Sequence, residues 1–221
     1  MESRILTVNG TGKVSIKPDY TIISVSLDTK DKAYEKAVEK ASIQIELLRT
    51  SLINIGFQKN DLKTTSFNVQ ARYESERDNK GNYKSVFAGF ECIHQLKLAF
   101  DFDMQKLSCV LDALSKSLTE PRLDVNFTVK DKSSVNEEVL RNAVANAVCQ
   151  AEILASASGV KLGGIISINY NRSELNMLSD ARFAIADNCR AAAPMAMEKS
   201  IDIEPEDIDV SDTVSITWQI L

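Results

Sequence analysis

Several stretches of the chain alternate apolar and polar residues with period two, which is the pattern of strands that bury one face. The clearest is FNVQARY at 67–73, where every second residue from Phe67 to Tyr73 is apolar. Because successive side chains of a strand point to opposite faces, we expect the apolar set in a core and the polar set in water. One-sided burial of this kind is typical of antiparallel sheets.

The first predicted strand, ILTVNGTGKVSI at 5–16, has two glycines on its inward-facing side, Gly10 and Gly12. Glycines at such positions predict a bend in the strand or the close approach of another element. Pro18 and Asp19 follow as turn-forming residues, and a second alternating stretch begins directly after them. We therefore predict that the first two strands form a hairpin.

Three segments have apolar residues at helical spacing instead. The first runs from about 31 to 55 and is followed by Gly56, which favours a helix end. The second follows Asp103, a residue suited to capping, and the third runs from a capping-box sequence at Ser134 to Gly159. With the strands, the order becomes ββαββαβαββ, which predicts an α+β fold of mostly antiparallel sheets with three helices packed on them.

This order predicts a single domain over residues 1–221, with two helix-on-sheet lobes at 1–103 and 104–221. Residues 172–206 match neither period and mix apolar runs such as AAAPMAM with polar residues. An irregular segment of that length is uncommon in a compact domain unless it has a function. We interpret it as a mobile loop or short helix that covers the sheet, or as a lid or an oligomer arm, and the pattern leaves these alternatives open.

The composition is that of an ordinary soluble globular protein, with 221 residues that are 44% hydrophobic and 26% charged. A net charge of −5 without clustered Lys and Arg argues against a nucleic-acid partner. The N-terminal sequence MESRILTVNGTGKV has no signal-peptide pattern and no run long enough to cross a bilayer, so we expect no membrane span and a cytoplasmic location. An exported or envelope-associated protein is the alternative, if a signal peptide has been removed.

His94 is the only histidine, so a site with several histidine ligands is excluded and any histidine base must be His94. On its predicted strand it shares a face with Cys92, and the two could bind a metal or act as base and thiol. A metal would need two further ligands that no spacing supplies. We therefore predict no catalytic constellation and no cofactor, and interpret His94 as a hydrogen-bonded residue at the edge of the core.

The four cysteines lie far apart, without the CxxC spacing of zinc or redox sites and without the density of a disulfide framework. Cys92 and Cys149 fall in apolar surroundings and are expected to be reduced core residues. Cys189 lies in the irregular segment and is expected to be exposed. A thiol redox sensor that uses Cys189 is therefore one alternative function.

The same residues resemble one known family over nearly the whole chain. The resembling motifs, in order, are Gly10-Thr11-Gly12, Pro18-Asp19, Gly56-Phe57, FNVQARYE, Phe87-Ala88-Gly89-Phe90, the helix NAVANAVCQAEILASASGVKLGGI and the closing segment IEPEDIDVSDTVSITW. Their order and spacing are similar to those of the SIMPL-domain family, long catalogued as a domain of unknown function. Glu206 is a departure, since the family often has Gly after that proline.

The resemblance implies a mixed fold of two helix-on-sheet lobes, assembly into ring-like or higher oligomers, and no established catalytic residues. Members are linked to oxidative-stress defence, to the bacterial envelope and, in animals, to kinase signalling. We therefore expect a non-enzymatic homo-oligomer that acts as a binding or assembly scaffold, with oxidative-stress defence as a candidate role. Residues 174–200 could bind a protein partner. The alternative is a small-molecule or metal-dependent enzyme with a site near His94 and Cys92.

Overall fold

The computed structural model describes residues 4–77, 83–117, 122–171, 175–179, 183–184 and 204–221. Its helices are α1 (Tyr34–Asn54), α2 (Met104–Ser117) and α3 (Lys132–Ala157). Its strands are β1 (Ile5–Ile16), β2 (Tyr20–Asp31), β3 (Lys63–Arg77), β4 (Tyr83–Asp101), β5 (Arg122–Thr128), β6 (Leu162–Asn169), β7 (Phe183–Ala184) and β8 (Ile208–Ile220). The predicted α+β class and element order are confirmed, with the short β7 as an addition.

The strands form two sheets, one with the order β1-β8-β6 and the other with the order β3-β4-β2-β5-β7. β1 pairs with β8 along its whole length, and β2 pairs with β4. The predicted hairpin of the first two strands is therefore wrong, because Pro18 and Asp19 lead from one sheet to the other. The Asp19 backbone N–H donates to the Thr128 carbonyl (3.1 Å), and its carboxylate accepts from the Lys130 N–H (2.7 Å).

The chain divides into two compact units. One contains residues 1–19, 128–180 and 205–221, and the other contains residues 20–127 and 181–204. This division differs from lobes that meet between residues 103 and 104, because β1 pairs with β8 rather than with the strand that follows it. Pairing between distant strands, which alternation does not encode, decides the boundary.

In the first unit, α3 packs closely on β1 through a stripe of small side chains. A Cβ atom at Gly10 would lie 2.2 Å from the Ala143 carbonyl oxygen, and one at Gly12 would lie 1.9 Å from that of Val139. Because no side chain fits into these gaps, the two glycines are what allows the helix backbone to approach the strand. The predicted close approach is confirmed.

The helix ends follow the local sequence signals with one exception. Gly56 (φ 96°) and Gly159 (φ 71°) adopt the left-handed conformation after α1 and α3. Asp103 accepts a backbone hydrogen bond of 2.9 Å at the start of α2. The predicted start of α3 at Ser134 is wrong, because Asp131 caps this helix and its carboxylate accepts two backbone N–H groups of the first turn.

In the second unit, α1 lies on β2 and β4 and contacts α2. The inward stripe of α1 is buried, as its helical spacing predicts, and consists of Ala37, Ala41, Ile45, Leu48 and Leu52. The larger members of this stripe join apolar side chains of β2, β4, α2 and β5 in one core. α1 thus covers the middle of the sheet.

Part of the irregular insertion contributes to the first unit. Met177 is 2% exposed in an apolar cluster with Val129 and Val210, and the Thr128 hydroxyl donates to its carbonyl. Most of residues 180–203 lies outside the described residues, so a lid, an arm or a partner-binding role for that segment stays a prediction. No helix in the described ranges is long and apolar enough to cross a membrane.

Candidate functional site

β3 and β4 form a hairpin that is longer than the sheet around it. β4 pairs with β2 only as far as Phe90, whereas its pairing with β3 continues to Tyr83. Residues 72–77 and 83–89 are therefore a two-stranded ribbon, which we call the arm. The arm begins at a bulge, where Gly89 has a φ of 123°. A Cβ atom added at Gly89 would lie only 2.5 Å from the carbonyl oxygen of Asp31, the last residue of β2.

One face of the arm carries aromatic rings that continue onto α1. The ring centroids of Tyr73 and Phe87 lie 5.8 Å apart, those of Phe87 and Phe90 5.4 Å, and those of Phe90 and Tyr34 5.7 Å, all edge to face. We call these four residues the aromatic row. Tyr73, Phe87 and Tyr34 are nevertheless 61%, 48% and 52% exposed. Within the described part of the chain, the row is an apolar surface open to solvent.

The predicted burial of the FNVQARY stretch is wrong. Phe67 is 49% exposed and Tyr73 is more so, and only Val69 among the four apolar positions is half-buried. The alternation sets the faces correctly, since Phe67 pairs with His94 and Val69 with Cys92 on the side that faces α1. However, α1 packs on β2 and β4 and leaves the edge strand β3 uncovered.

The opposite face of the arm is charged. Arg72 forms an ion pair with Glu74, and Glu76 lies directly across from Lys84 in the strand register. Opposite charges at neighbouring positions stabilise a ribbon and keep that face in water. The arm therefore has the two faces of a half-buried ribbon, and the described residues do not cover its apolar face.

Cys92 and His94 lie on the face of β4 that also carries Phe90, as their spacing predicts. Cys92 is 0% exposed and packs in a cluster with Ala37 and Ala41 of α1. Burial raises the pKa of the Cys92 thiol. The thiol therefore stays protonated at neutral pH, in a form that is a weak nucleophile and a weak metal ligand.

His94 is 6% exposed beneath the edge of β3. Its Nε2 shares a hydrogen bond of 2.9 Å with the Thr64 hydroxyl, and Phe67 packs edge-on at 5.0 Å. Its Nδ1 is buried without a hydrogen-bond partner among the described residues. Burial lowers the pKa of His94, and the charge of Arg49 lowers it further. A neutral imidazole beside a protonated thiol is not the charged pair that cysteine catalysis uses.

The described residues contain no cluster of three or more His, Cys, Asp or Glu side chains placed to hold a metal. Cys149 is exposed, so its predicted place in the core is wrong. The buried stripe of α3 advances through Ala147 and Ala151, and position 149 lies on the opposite side of the helix. Cys109 is also exposed, and Cys189 lies outside the described residues.

A groove of about 290 Å³ lies on the face of the second sheet that α1 does not cover, and its lining includes Ser24, Ser26 and Thr65 and the β5 residues Arg122 and Asp124. Its carboxylate, Asp124, accepts a 2.8 Å hydrogen bond from the Asn126 amide. Its guanidinium, Arg122, lies 3.9 Å from the Asp28 carboxylate. These charged groups are engaged with their neighbours, and the aromatic row is therefore the stronger candidate site.

Comparison with known proteins places these features in a family. A profile of the SIMPL family, described as "Protein of unknown function (DUF541)", matches residues 6–218. The "Uncharacterized protein YggE" of Edwardsiella ictaluri is 25% identical over 220 residues, which cover 97% of this chain and 86% of that protein. The protein of the same name from Escherichia coli K12 is 24% identical, with coverage of 97% and 82%.

The "26 kDa periplasmic immunogenic protein" of Brucella melitensis is 26% identical over 167 residues, which are 74% of this chain. The match spans 65% of that relative, less than two thirds of its length. Because this relative and its Brucella abortus counterpart are named as periplasmic proteins, the cytoplasmic location expected from the sequence is wrong.

The profile match covers nearly the whole chain and confirms the resemblance seen in the motifs. The chain belongs to the SIMPL family.

Proposed function

We propose that this protein is exported to the cell envelope, where it assembles with copies of itself and acts as a non-enzymatic binding scaffold. The names of the Brucella relatives support the location. The observation that carries the assembly is the exposed aromatic row on the arm. A two-stranded ribbon is at best marginally stable in water, so an arm with one apolar face favours a partner that covers it.

Simple magnitudes indicate how large the contact must be. Complete burial of one large apolar side chain stabilises by roughly 1.5–3 kcal/mol, so each half-exposed aromatic can still contribute about 1 kcal/mol. Tyr34, Tyr73 and Phe87 together offer about 3 kcal/mol by this reckoning, whereas association costs roughly 4–15 kcal/mol. The contact must therefore extend beyond the row, and Phe67 and Tyr83, which are 49% and 76% exposed, are the aromatic residues available on β3 and β4.

The charges of the arm favour a second copy as the partner. The four residues of the aromatic row carry no charge, and Arg77, a charged residue on their face of the arm, lies across from Tyr83 at its far end, so two rows can face each other without like charges in contact. The charged face, with Glu74 and Lys84, can remain in water at the same time. A self-complementary contact of this kind generates a two-fold dimer.

The test is the molar mass of the full chain, 24.4 kDa as a monomer, by light scattering at about 50 μM. We expect the wild type to be larger than a monomer and the double variant Tyr73→Ser/Phe87→Ser to be smaller than the wild type. Val86→Ser, on the opposite face of the same arm, is the matched control and should leave the mass unchanged. A monomeric wild type, or an unchanged mass for the double variant, would contradict assembly through the arm.

Oxidative-stress defence is the cellular part of the proposal and is supported by the family resemblance. In a strain that lacks the protein, we expect the wild-type gene to restore survival in peroxide and the Tyr73→Ser/Phe87→Ser gene to restore less. The Val86→Ser gene controls for expression. Equal survival with and without the protein would remove this role and leave the assembly proposal in place.

A further inference from the structure

β6 is an edge strand with unusual chemistry. It lies at one end of the order β1-β8-β6, and no strand in the described part of the chain pairs with its outer side. Its sequence, LGGIISIN, contains no charged residue and no proline. Soluble proteins usually protect such edges with charges, prolines or a covering element, because unpaired backbone groups bind other strands.

The other long edges of the two sheets are protected in these ways. On β1, the Asn146 side chain accepts from the Thr11 N–H (3.0 Å), and the Asn142 side chain donates to the Lys13 carbonyl (3.4 Å). α3 thus covers the free backbone groups of that edge. β3, an edge of the second sheet, carries charged residues at its start and in its last six residues, in KTTSFNVQARYESER. Within the described ranges, β6 has neither form of protection, although its register with β8 shifts on either side of Ile165.

The side chains of β6 strengthen the contrast. Ile165, Ile166 and Ile168 are 53%, 54% and 56% exposed, although Ile165 and Ile168 pair with the buried residues Trp218 and Ile216 of β8. They are exposed because α3 packs on β1 and β8 and hardly reaches β6. A backbone edge that no described residue pairs with, and three half-exposed isoleucines, therefore lie on the same short strand.

We propose that β6 pairs with β6 of a second copy of this chain, antiparallel and about a two-fold axis, so that two three-stranded sheets become one sheet of six strands. Charge favours a second copy as the partner of β6 and the antiparallel direction for the pair. The strand itself is neutral, and the nearest charges in the sequence are Lys161 before it and Arg172 after it. In an antiparallel pair centred on Ile165 and Ile166, the two Lys161 residues lie about 30 Å apart along the strands, at roughly 3.4 Å per residue. A parallel pair would place the two Lys161 residues side by side, where their like charges repel.

This contact goes beyond the proposed function, since it uses backbone hydrogen bonds and aliphatic side chains of the first unit and does not involve the aromatic row. A chain with one two-fold contact stops at a dimer. A chain with two different two-fold contacts can continue to a higher assembly, closed or open according to the angle between the axes.

The test uses Ile166→Lys, because a lysine is the residue that natural edge strands use to prevent pairing. Ile5→Lys is the matched control, since Ile5 is 55% exposed and lies in β1 of the same sheet. The outer edge of β1 is covered by α3. Both are made in the full chain, in the wild-type background and in the Tyr73→Ser/Phe87→Ser background, and their folding is checked by circular dichroism. The measurements are molar mass by light scattering and hydrogen exchange of the β6 amides.

In the Tyr73→Ser/Phe87→Ser background we expect a dimer, which Ile166→Lys converts to a monomer and Ile5→Lys does not. Exchange of the β6 amides should rise at least tenfold with Ile166→Lys. If that background is already monomeric, β6 does not pair with itself and the proposal is overturned. Protected β6 amides in that monomer would show instead that another segment of the same chain covers the edge. Assembly through the arm is judged separately, by the mass of the wild type against the double variant.

Discussion

The contact between β1 and α3 gives the sharpest quantitative prediction, through the variant Gly10→Ala. A single methyl group at Gly10 would lie 2.2 Å from the Ala143 carbonyl oxygen, 2.5 Å from the Ala147 backbone nitrogen and 2.6 Å from the Ala147 Cβ. Two of these three atoms belong to the helix backbone, so no side-chain rotation can relieve the overlap. The helix must instead move away from the strand by about 1 Å.

That displacement affects the whole interface. A gap of 0.5–1 Å removes roughly a quarter to a half of the dispersion attraction between the atoms on its two sides. The buried face of α3 consists of six side chains, from Val135 to Ala155, and the alanines among them contact the sheet only at short range. Overpacking in a dense core typically costs about 1–3 kcal/mol. We expect Gly10→Ala to reach the upper end, about 3 kcal/mol, because the obstructing atoms are backbone.

Urea denaturation measures this free energy, followed by the fluorescence of Trp218, which is the only tryptophan and is 3% exposed in the same unit. Gly164→Ala is the control, since its Cβ would meet no atom within 4 Å and its φ is not positive. We expect this control to be neutral or slightly stabilising, because alanine restricts the unfolded chain more than glycine does. A loss of less than about 1 kcal/mol for Gly10→Ala, with the control unchanged, would refute the close-packing explanation.

Three further predictions concern single side chains. Asp131→Ala removes the cap of α3 and should lower the free energy of unfolding by about 1 kcal/mol in the same urea assay, and no loss would mean that the cap is not needed. Burial lowers the pKa of His94, so the unfolded chain takes up the proton more readily, and the stability of the wild type should fall as the pH decreases through 6.5. His94→Gln should weaken that dependence, and an identical pH profile would contradict the assignment to His94. Iodoacetamide should label the exposed Cys149 in the native protein and Cys92 only after unfolding, as mass spectrometry of peptides would show; rapid native labelling of Cys92 would contradict its burial.

Local patterns predicted the elements well and their partners poorly. The alternation in 5–16 identified β1 and its glycines, because inward glycines leave a gap that only a close neighbour fills. The same alternation could not show that β1 pairs with β8, since period two specifies the faces of a strand and not its neighbour. The predicted turn at Pro18 and Asp19 therefore became a connection between sheets.

The candidate site shows the same limit. The spacing of Cys92 and His94 correctly places them on one face of β4. The exposure of Tyr73 and Phe87 depends on where β2 ends and on which strands α1 covers, and neither is written in the alternation itself. One available signal is Gly89 within the apolar segment FAGF, because a glycine inside a strand indicates a bulge, and here the bulge marks the last residue of β2.

The electrostatics of the chain and its uncovered surfaces act in opposite directions. A net charge of −5 opposes the approach of two copies at a distance, and this repulsion is screened beyond about 10 Å at 0.1 M salt. The aromatic row and β6 carry no charge, so the attraction between copies is apolar and of short range. Repulsion therefore acts on the encounter and apolar burial on the bound state. Salt should strengthen an association of this kind, whereas an association held by ion pairs would weaken in salt. This difference in sign follows from the absence of charge on the aromatic row and on β6.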